Sequence, residues 1–117
     1  MTLILDRIVD VIRGYRFVFI DEDELQEGLA AALTQAGLHP KREVRLDARS
    51  RVDILVERVA IEVKVGGSTS ALERQLTRYA ESDRVDALIV VTSRVHHLQL
   101  PDEISGKSVH TISVGLL

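Results

Sequence analysis

Residues 51–65 read RVDILVERVAIEVKV, and the placement of three charges within this aliphatic run decides the fold. Val52, Ile54 and Val56 alternate with Asp53, Leu55 and Glu57; beyond Arg58, Val59, Ile61, Val63 and Val65 alternate with Ala60, Glu62 and Lys64. β-Branched residues at a period of two, bounded by charge and by Gly66, predict two consecutive strands. The same period sets Glu62 and Lys64 side by side on one face of the second strand, with Asp53 one strand away. Each of these charges costs several kcal/mol if buried without a partner. Two carboxylates and an amine on such a hairpin are therefore read as a candidate site.

Working outward, Pro40 breaks the chain, a strand is expected from about Glu43 to Leu46, and Asp47–Ser50 forms the turn into the hairpin, which completes a three-stranded antiparallel meander. Before it, Asp21 with Glu24 three residues on forms a D-x-x-E capping box. Leu25, Leu29, Ala32, Leu33 and Ala36 then make an apolar stripe closed by Gly37, so residues 22–36 are predicted as a helix. Leu3, Ile4, Ile8, Val11 and Ile12 give a shorter helix over 2–13, ending at Gly14, with Tyr15–Ile20 as an apolar connector. After the meander, Gly66–Ser70 leads into a helix over 69–82, capped by Ser68 or Thr69. Ala87–Thr92 (ALIVVT) reads as a fully buried strand and Ser108–Val114 as a last one. The order is α, α, β, β, β, α, β, β.

Composition bounds the rest. The chain has 117 residues, long enough for one core and too short for two. With 45% apolar but only 3% aromatic residues, the core has to be aliphatic. The absence of cysteine excludes disulfides and thiolate metal sites and fits a reducing compartment. No apolar run approaches the roughly 18 residues of a membrane span, and the N-terminal stretch does not read as a secretion signal, so a cytoplasmic location is expected. The net charge of −3 is unevenly spread. Lys41–Arg51 holds five bases against two acids, whereas Asp21–Glu27 holds five acids and no base. Such asymmetry suits an acidic metal pocket beside a basic rim, or simply solvated surface charge.

Asp53, Glu62 and Lys64 on consecutive strands, preceded by a glutamate-bearing helix, resemble the PD-(D/E)XK nuclease superfamily over roughly Asp21–Thr92. Val52 stands where the family name has proline. The resemblance implies an α/β fold with a restriction-endonuclease-like αβββαβ core, a central mixed sheet flanked by helices, here with an extra N-terminal helix and a C-terminal strand. It also implies cleavage of DNA phosphodiesters with Mg2+ or Mn2+, held by Asp53, Glu62, the Val63 carbonyl and a first-motif glutamate. Physically, hydrolysis requires an activated water and a stabilised phosphate charge. Hard divalent cations on oxygen ligands supply both, and Lys64 is placed to orient or deprotonate the water or to stabilise the charge. The competing reading is an edge-strand ion pair between Glu62 and Lys64, with Asp53 capping a turn.

The first-motif acid is Glu22, Glu24 or Glu27. At about 100° per residue, Glu22 falls about 60° from Leu25, within the apolar stripe, while Glu24 and Glu27 lie off it. Glu24 also has the capping role, so Glu22 is preferred. Gln75 and Tyr79 share a helix face four residues apart. Their QxxxY spacing also occurs in family members, where the resemblance gives Gln75 a place beside the site and Tyr79 a contact with nucleic acid. Against this, Leu72, Leu76 and Tyr79 are also an ordinary inward-packed stripe. Arg45, Arg49, Arg51, Arg74 and Arg78 are candidate phosphate contacts, although Arg74 and Arg78 are also spaced to pair with Glu73 and Glu81. His96 and His97 are expected in a solvated loop, and Gly66–Gly67 as a flexible rim. A structure-specific endonuclease of the junction-resolvase type, acting as a homodimer through residues 2–13 and the VGLL tail, suits so small a domain. The alternative is a non-cleaving nucleic-acid-binding or assembly module on the same fold.

Overall fold

The computed structural model describes residues 2–115. Its elements are α1 (Thr2–Arg13), α2 (Glu22–Gln35), β1 (Lys41–Arg45), β2 (Arg51–Val56), β3 (Val59–Lys64), α3 (Thr69–Ala80), β4 (Ala87–Thr92), a 3-10 turn (Val95–Gln99), β5 (Glu103–Ile104) and β6 (Lys107–Ser113). The fold is α/β, with a six-stranded mixed sheet in the order β1-β2-β3-β4-β6-β5. β1, β2 and β3 form the antiparallel meander, β3, β4 and β6 run parallel, and the two-residue β5 pairs antiparallel with β6. Among the described residues no helix is long and apolar enough to cross a membrane.

Strand alternation distributes the core to both faces of the sheet. Val59, Ile61 and Val63 of β3 pack with Ile8, Leu25 and Leu29 of α1 and α2. Ala60 of the same strand packs with Leu72, Leu76 and Tyr79 of α3. β4 is buried at all six positions, as its unbroken apolar run requires of a strand covered on both sides. β3 lies between β2 and β4, so Glu62 and Lys64 stand on an interior strand: the expected ion pair forms, at 3.4 Å, but its placement on an edge strand is corrected.

Local chemistry accounts for the helix ends. The Asp21 carboxylate accepts from the Glu24 amide (2.9 Å), and Glu24 Oε1 accepts from the Ile20 amide (2.7 Å). At the other end Gly37, at φ +88°, lets the Leu38 and Gly37 amides donate back to the Leu33 and Thr34 carbonyls, a Schellman closure. Ser68 caps α3 by accepting from the Ala71 amide.

Several expectations are corrected. β1 begins at Lys41, directly after Pro40, rather than at Glu43, and α3 ends at Ala80 rather than 82. The loop with two histidines is an ordered 3-10 turn in which His97 is fully buried, not solvated. The connector 15–20 has no regular secondary structure, with Phe17 and Phe19 partly buried against the α1–α2 core. Of the VGLL tail, Leu116 and Leu117 lie outside the described residues.

Candidate active site

Two irregularities in the meander create the site. The β1–β2 ladder pairs Arg42 with Ile54 and Val44 with Val52 but skips Glu43 opposite Asp53. Glu43 sits at φ +54°, a left-handed backbone that is costly for a residue with a Cβ and is found mainly where the surroundings enforce it. At the same point Val52 joins the α3-side core, while Ile54 joins the opposite one two residues later, so simple alternation is broken around Asp53. β2 then parts from β3: their register runs from Val56↔Val59 to Ile54↔Ile61 and goes no further.

Beyond that point the β3 amides facing β2 need other acceptors, because a buried unpaired N–H is costly. Asp53 Oδ2 accepts from the Val63 amide (2.8 Å), and Glu22 Oε1 accepts from the Val65 amide (3.1 Å). These amides are two residues, about 7 Å, apart on one strand edge. The N–H and C=O of one strand residue point to the same edge, so the Val63 carbonyl faces the same side as the Asp53 carboxylate. Glu22 is thereby brought to the end of β3, whereas Glu24 is spent on the helix cap, as the angular argument expects.

On the α3 face, Glu62 is only 2% exposed. Its Oε2 lies 3.4 Å from Lys64 Nζ, and its Oε1 is 2.9 Å from the Tyr79 hydroxyl. That hydroxyl also lies 2.8 Å from the Arg51 carbonyl and accepts from Gln75 Nε2 at 2.9 Å. A phenol has one hydrogen, yet two acceptors face it. A proton on Glu62 resolves the count: the carboxyl donates to Tyr79, Tyr79 donates to the Arg51 carbonyl, and Gln75 donates to Tyr79.

The electrostatics agree. Burial, then repulsion from Asp53, pushes the Glu62 carboxyl up to about 8 from 4.5, with Lys64 only partly opposing. Asp53 is also raised, chiefly by burial, against the Val63 N–H and Lys64. Burial likewise pushes the Tyr79 hydroxyl up, so it stays protonated. Two carboxyls that resist ionising beside a single lysine make a strong site for added positive charge.

The expected residues divide accordingly. Asp53, Glu62 and Lys64 come together, with Gln75 joined to them through Tyr79, which makes Gln75 a positioning residue. Glu22 reaches the same strand end but binds Val65, and among the described residues no three His, Cys, Asp or Glu side chains converge into a ready ligand set. Tyr79 is 1% exposed and turned into the core, which removes it from any nucleic-acid surface; the i,i+4 pattern fixed its face but not which way that face points. Arg45 caps the Asp47 and Ala48 carbonyls, and Arg51 pairs with Glu43 at 3.5 Å. Arg49 and Arg74 are exposed, and Arg78 is half-buried with its Nε lacking a partner. Among the described residues neither Arg74 nor Arg78 pairs with Glu73 or Glu81.

One part of the surroundings has no precursor in the sequence reading. His96 and His97 both donate through Nε2 to the Gly67 carbonyl (3.0 Å each), and Thr92 donates to His97 Nδ1 at 2.6 Å. Arg94 Nε adds a bond to the Val65 carbonyl (2.7 Å). The Gly66–Gly67 loop leaving β3 is therefore tied down by the segment after β4 instead of forming a loose rim. Adjacent histidines alone carry no signal for this, because their partners are about 30 residues away.

No family model, curated protein or solved structure matches the chain.

Two measurements follow from this geometry. The folded protein holds the Glu62 proton more tightly than the unfolded chain does, so between about pH 4.5 and about 8 stability falls as pH rises. Glu62→Gln, whose amide can donate to Tyr79 as the protonated acid does, should abolish that slope and denature after wild type at pH 9, by a few kcal/mol. Urea unfolding in EDTA across this range reads it; parallel curves for the two proteins would exclude a buried proton on Glu62. Separately, Glu24→Gln should weaken the start of α2 by up to about 1 kcal/mol while sparing activity. Glu22→Gln, which keeps an acceptor for the Val65 amide, should do the reverse; swapped results would assign the site role to Glu24.

Proposed function

We propose that this chain is a metal-dependent nuclease that hydrolyses nucleic-acid phosphodiester bonds, in keeping with its resemblance to the PD-(D/E)XK superfamily and with a restriction-endonuclease-like arrangement of its elements. The observation that carries the reading is the Asp53–Glu62 carboxyl pair beside Lys64 at the point where β2 and β3 part. A hydrophobic contact in that position would stabilise the sheet at lower cost than a buried ionisable group. The arrangement makes chemical sense if a cation joins it in the working state.

The donor set fits Mg2+ or Mn2+. Mg2+ is ordinarily held by one or two carboxylates and completes its shell with water and substrate phosphate, without an all-protein cage. Asp53 and Glu62 are those carboxylates, with the Val63 carbonyl as a further hard oxygen and Glu22 as a neighbour on the same edge. When bound, the ion supplies Lewis acidity toward the phosphate and lowers the pKa of water. The chain's own residues do the rest. Lys64, now attracted to Glu62, is close enough to turn its ammonium toward the attacked phosphate. Tyr79 and Gln75 hold the Glu62 carboxyl from behind, and the His96–His97–Gly67 tether fixes the loop that leaves the strand. DNA is the substrate we favour, cut at branched structures by a homodimer of the chain; a non-cleaving module is the second reading, favoured because among the described residues no three side-chain ligands converge.

Purified protein should nick or cut DNA in Mg2+ or Mn2+ and stop in EDTA. Asp53→Asn should lower the rate by at least about a hundredfold with little change in melting temperature, because the amide oxygen still accepts from Val63. Wild-type turnover in that variant, or an inert wild type across junction, flap, duplex and single-stranded substrates, would move the protein to the second reading.

A further inference from the structure

A surface depression of about 1070 Å3 lies at the carboxyl ends of the parallel strands β3, β4 and β6, where it is floored by Val65, Ser93 and Val114 and walled by the connector 15–20. Open parallel sheets bind their ligands at this end. Val65 is the residue after Lys64, and its amide is held by Glu22, so the groove starts where the candidate active site stops.

Its lining is chemically one-sided. Arg13, Arg16 and Arg94 line it, and among the described residues no acidic side chain does. Among the described residues none of these three arginines is in an ion pair, in contrast to Arg42, Arg51 and Arg58. Between the arginines the wall is apolar. Val18 is 92% exposed and Ile20 90%, and the Tyr15 ring is stacked on Phe17 with centroids 5.9 Å apart and anchored by its hydroxyl on Gln35. Cations alternating with aromatic and aliphatic faces are the pattern that grips a single strand, phosphates on the arginines and bases on the apolar faces. A duplex shows its backbone and keeps its bases stacked inside, so it would use the arginines and leave Tyr15, Val18 and Ile20 in water. A second copy of the chain fits poorly, because a two-fold contact would set one arginine trio against the other.

We propose that the groove walled by residues 15–20 and carrying Arg13, Arg16 and Arg94 is the path of a single-stranded nucleic-acid segment leading to Lys64, so that the substrate is a strand or a branched structure with an unpaired arm. This rests on the nuclease reading for its purpose but not for its test, since binding is measured without turnover.

Fluorescence anisotropy in EDTA, over a salt series, compares a labelled oligothymidine with a duplex of equal length. The single strand should bind more tightly. Arg13→Gln/Arg16→Gln, whose side chains make no hydrogen bond among the described residues, combined with Arg94→Gln, should weaken it on the order of tenfold or more and flatten the log–log salt slope by about 2, at about 0.7 per phosphate. The Arg13–Arg16 pair alone should give about two-thirds of that change, which guards against a folding effect of Arg94 through Val65. Tyr15→Ala should lose on the order of tenfold and Tyr15→Phe should restore it, since the ring and not the hydroxyl receives the base. Tighter binding of the duplex, a larger effect from removing Arg45, Arg49 and Arg51, or equal displacement by polyglutamate would each overturn the proposal. Cleavage with an unchanged slope in the groove variants would end this inference and leave the nuclease reading standing. Groove-dependent binding with no cleavage in any divalent cation would do the opposite.

Discussion

The Glu62 carboxyl group, buried on an interior strand with one lysine beside it, is the constraint around which the rest of the molecule is arranged. A carboxylate in that environment has to be neutralised or satisfied on both oxygens, and the chain does so from two directions. Lys64 approaches along the same strand, and Tyr79 approaches from α3. Satisfying Glu62 from α3 fixes the rotation of that helix about its axis, since Tyr79 points inward only when Leu72 and Leu76 do so as well. Gln75, one turn earlier, then necessarily meets the same hydroxyl. The α3-side core and the polar site are thus one packing solution, and a proton on Glu62 is what lets it close without an unpaired acceptor.

The other carboxylates serve a second need, created where β2 and β3 separate. A parting hairpin leaves strand amides without partners, and Asp53 and Glu22 supply the missing acceptors. Glu22 does this from α2, so the acidic start of that helix is held against the sheet by a hydrogen bond as well as by Leu25 and Leu29. The left-handed Glu43 opposite Asp53 is the counterpart in backbone strain. The carboxylates that would bind a cation are therefore also structural fasteners. A cation drawing Asp53 or Glu22 away from its amide must replace that bond with a stronger interaction, which is the sense in which the site is poised and not relaxed.

Much of this was legible in residues 51–65. A period of two with three charges out of place gave the hairpin, the shared face of Glu62 and Lys64, and the proximity of Asp53. The capping box and apolar stripe of α2 separated Glu22 from Glu24 by angle alone. What could not be read were the decisions taken by tertiary contact. Spacing placed Gln75 and Tyr79 on one face, but only the docking of α3 turns that face toward Glu62. Alternation failed at Val52 because the kink at Asp53 moves it to the other core. His96 and His97 looked like loop polars because their partner, the Gly67 carbonyl, is distant in sequence and is a backbone atom that no side-chain pattern announces. The start of β1 at Lys41 was hidden because its residues are mostly exposed and charged, leaving no alternation to detect.

The charge arrangement follows the same logic at larger scale. With a net charge of −3 the protein has no general positive field to gather a polyanion, so any attraction has to be local. The hairpin arginines contribute little to it, since Arg45 is occupied with turn carbonyls and Arg51 with Glu43, and exposed pairs of this kind are largely screened. Arg13, Arg16 and Arg94 come from the end of α1, the following connector and the loop after β4. These segments are remote in sequence but meet at the carboxyl ends of the parallel strands. No sequence window contains that cluster, whereas the five-base window at 41–51 is conspicuous and mostly engaged elsewhere. A field built in this way is short-ranged and directional. It has its positive end on the groove and its acidic end at the Asp53–Glu62 carboxyl pair; on the nuclease reading, a cation bound there would displace the Glu62 proton and offset the carboxylates that a phosphate drawn along the arginines would otherwise meet. If both proposals hold, binding and catalysis are separable by ionic conditions: the groove would hold the strand at any divalent concentration, and the carboxyl pair would admit a phosphate only once its charge is offset.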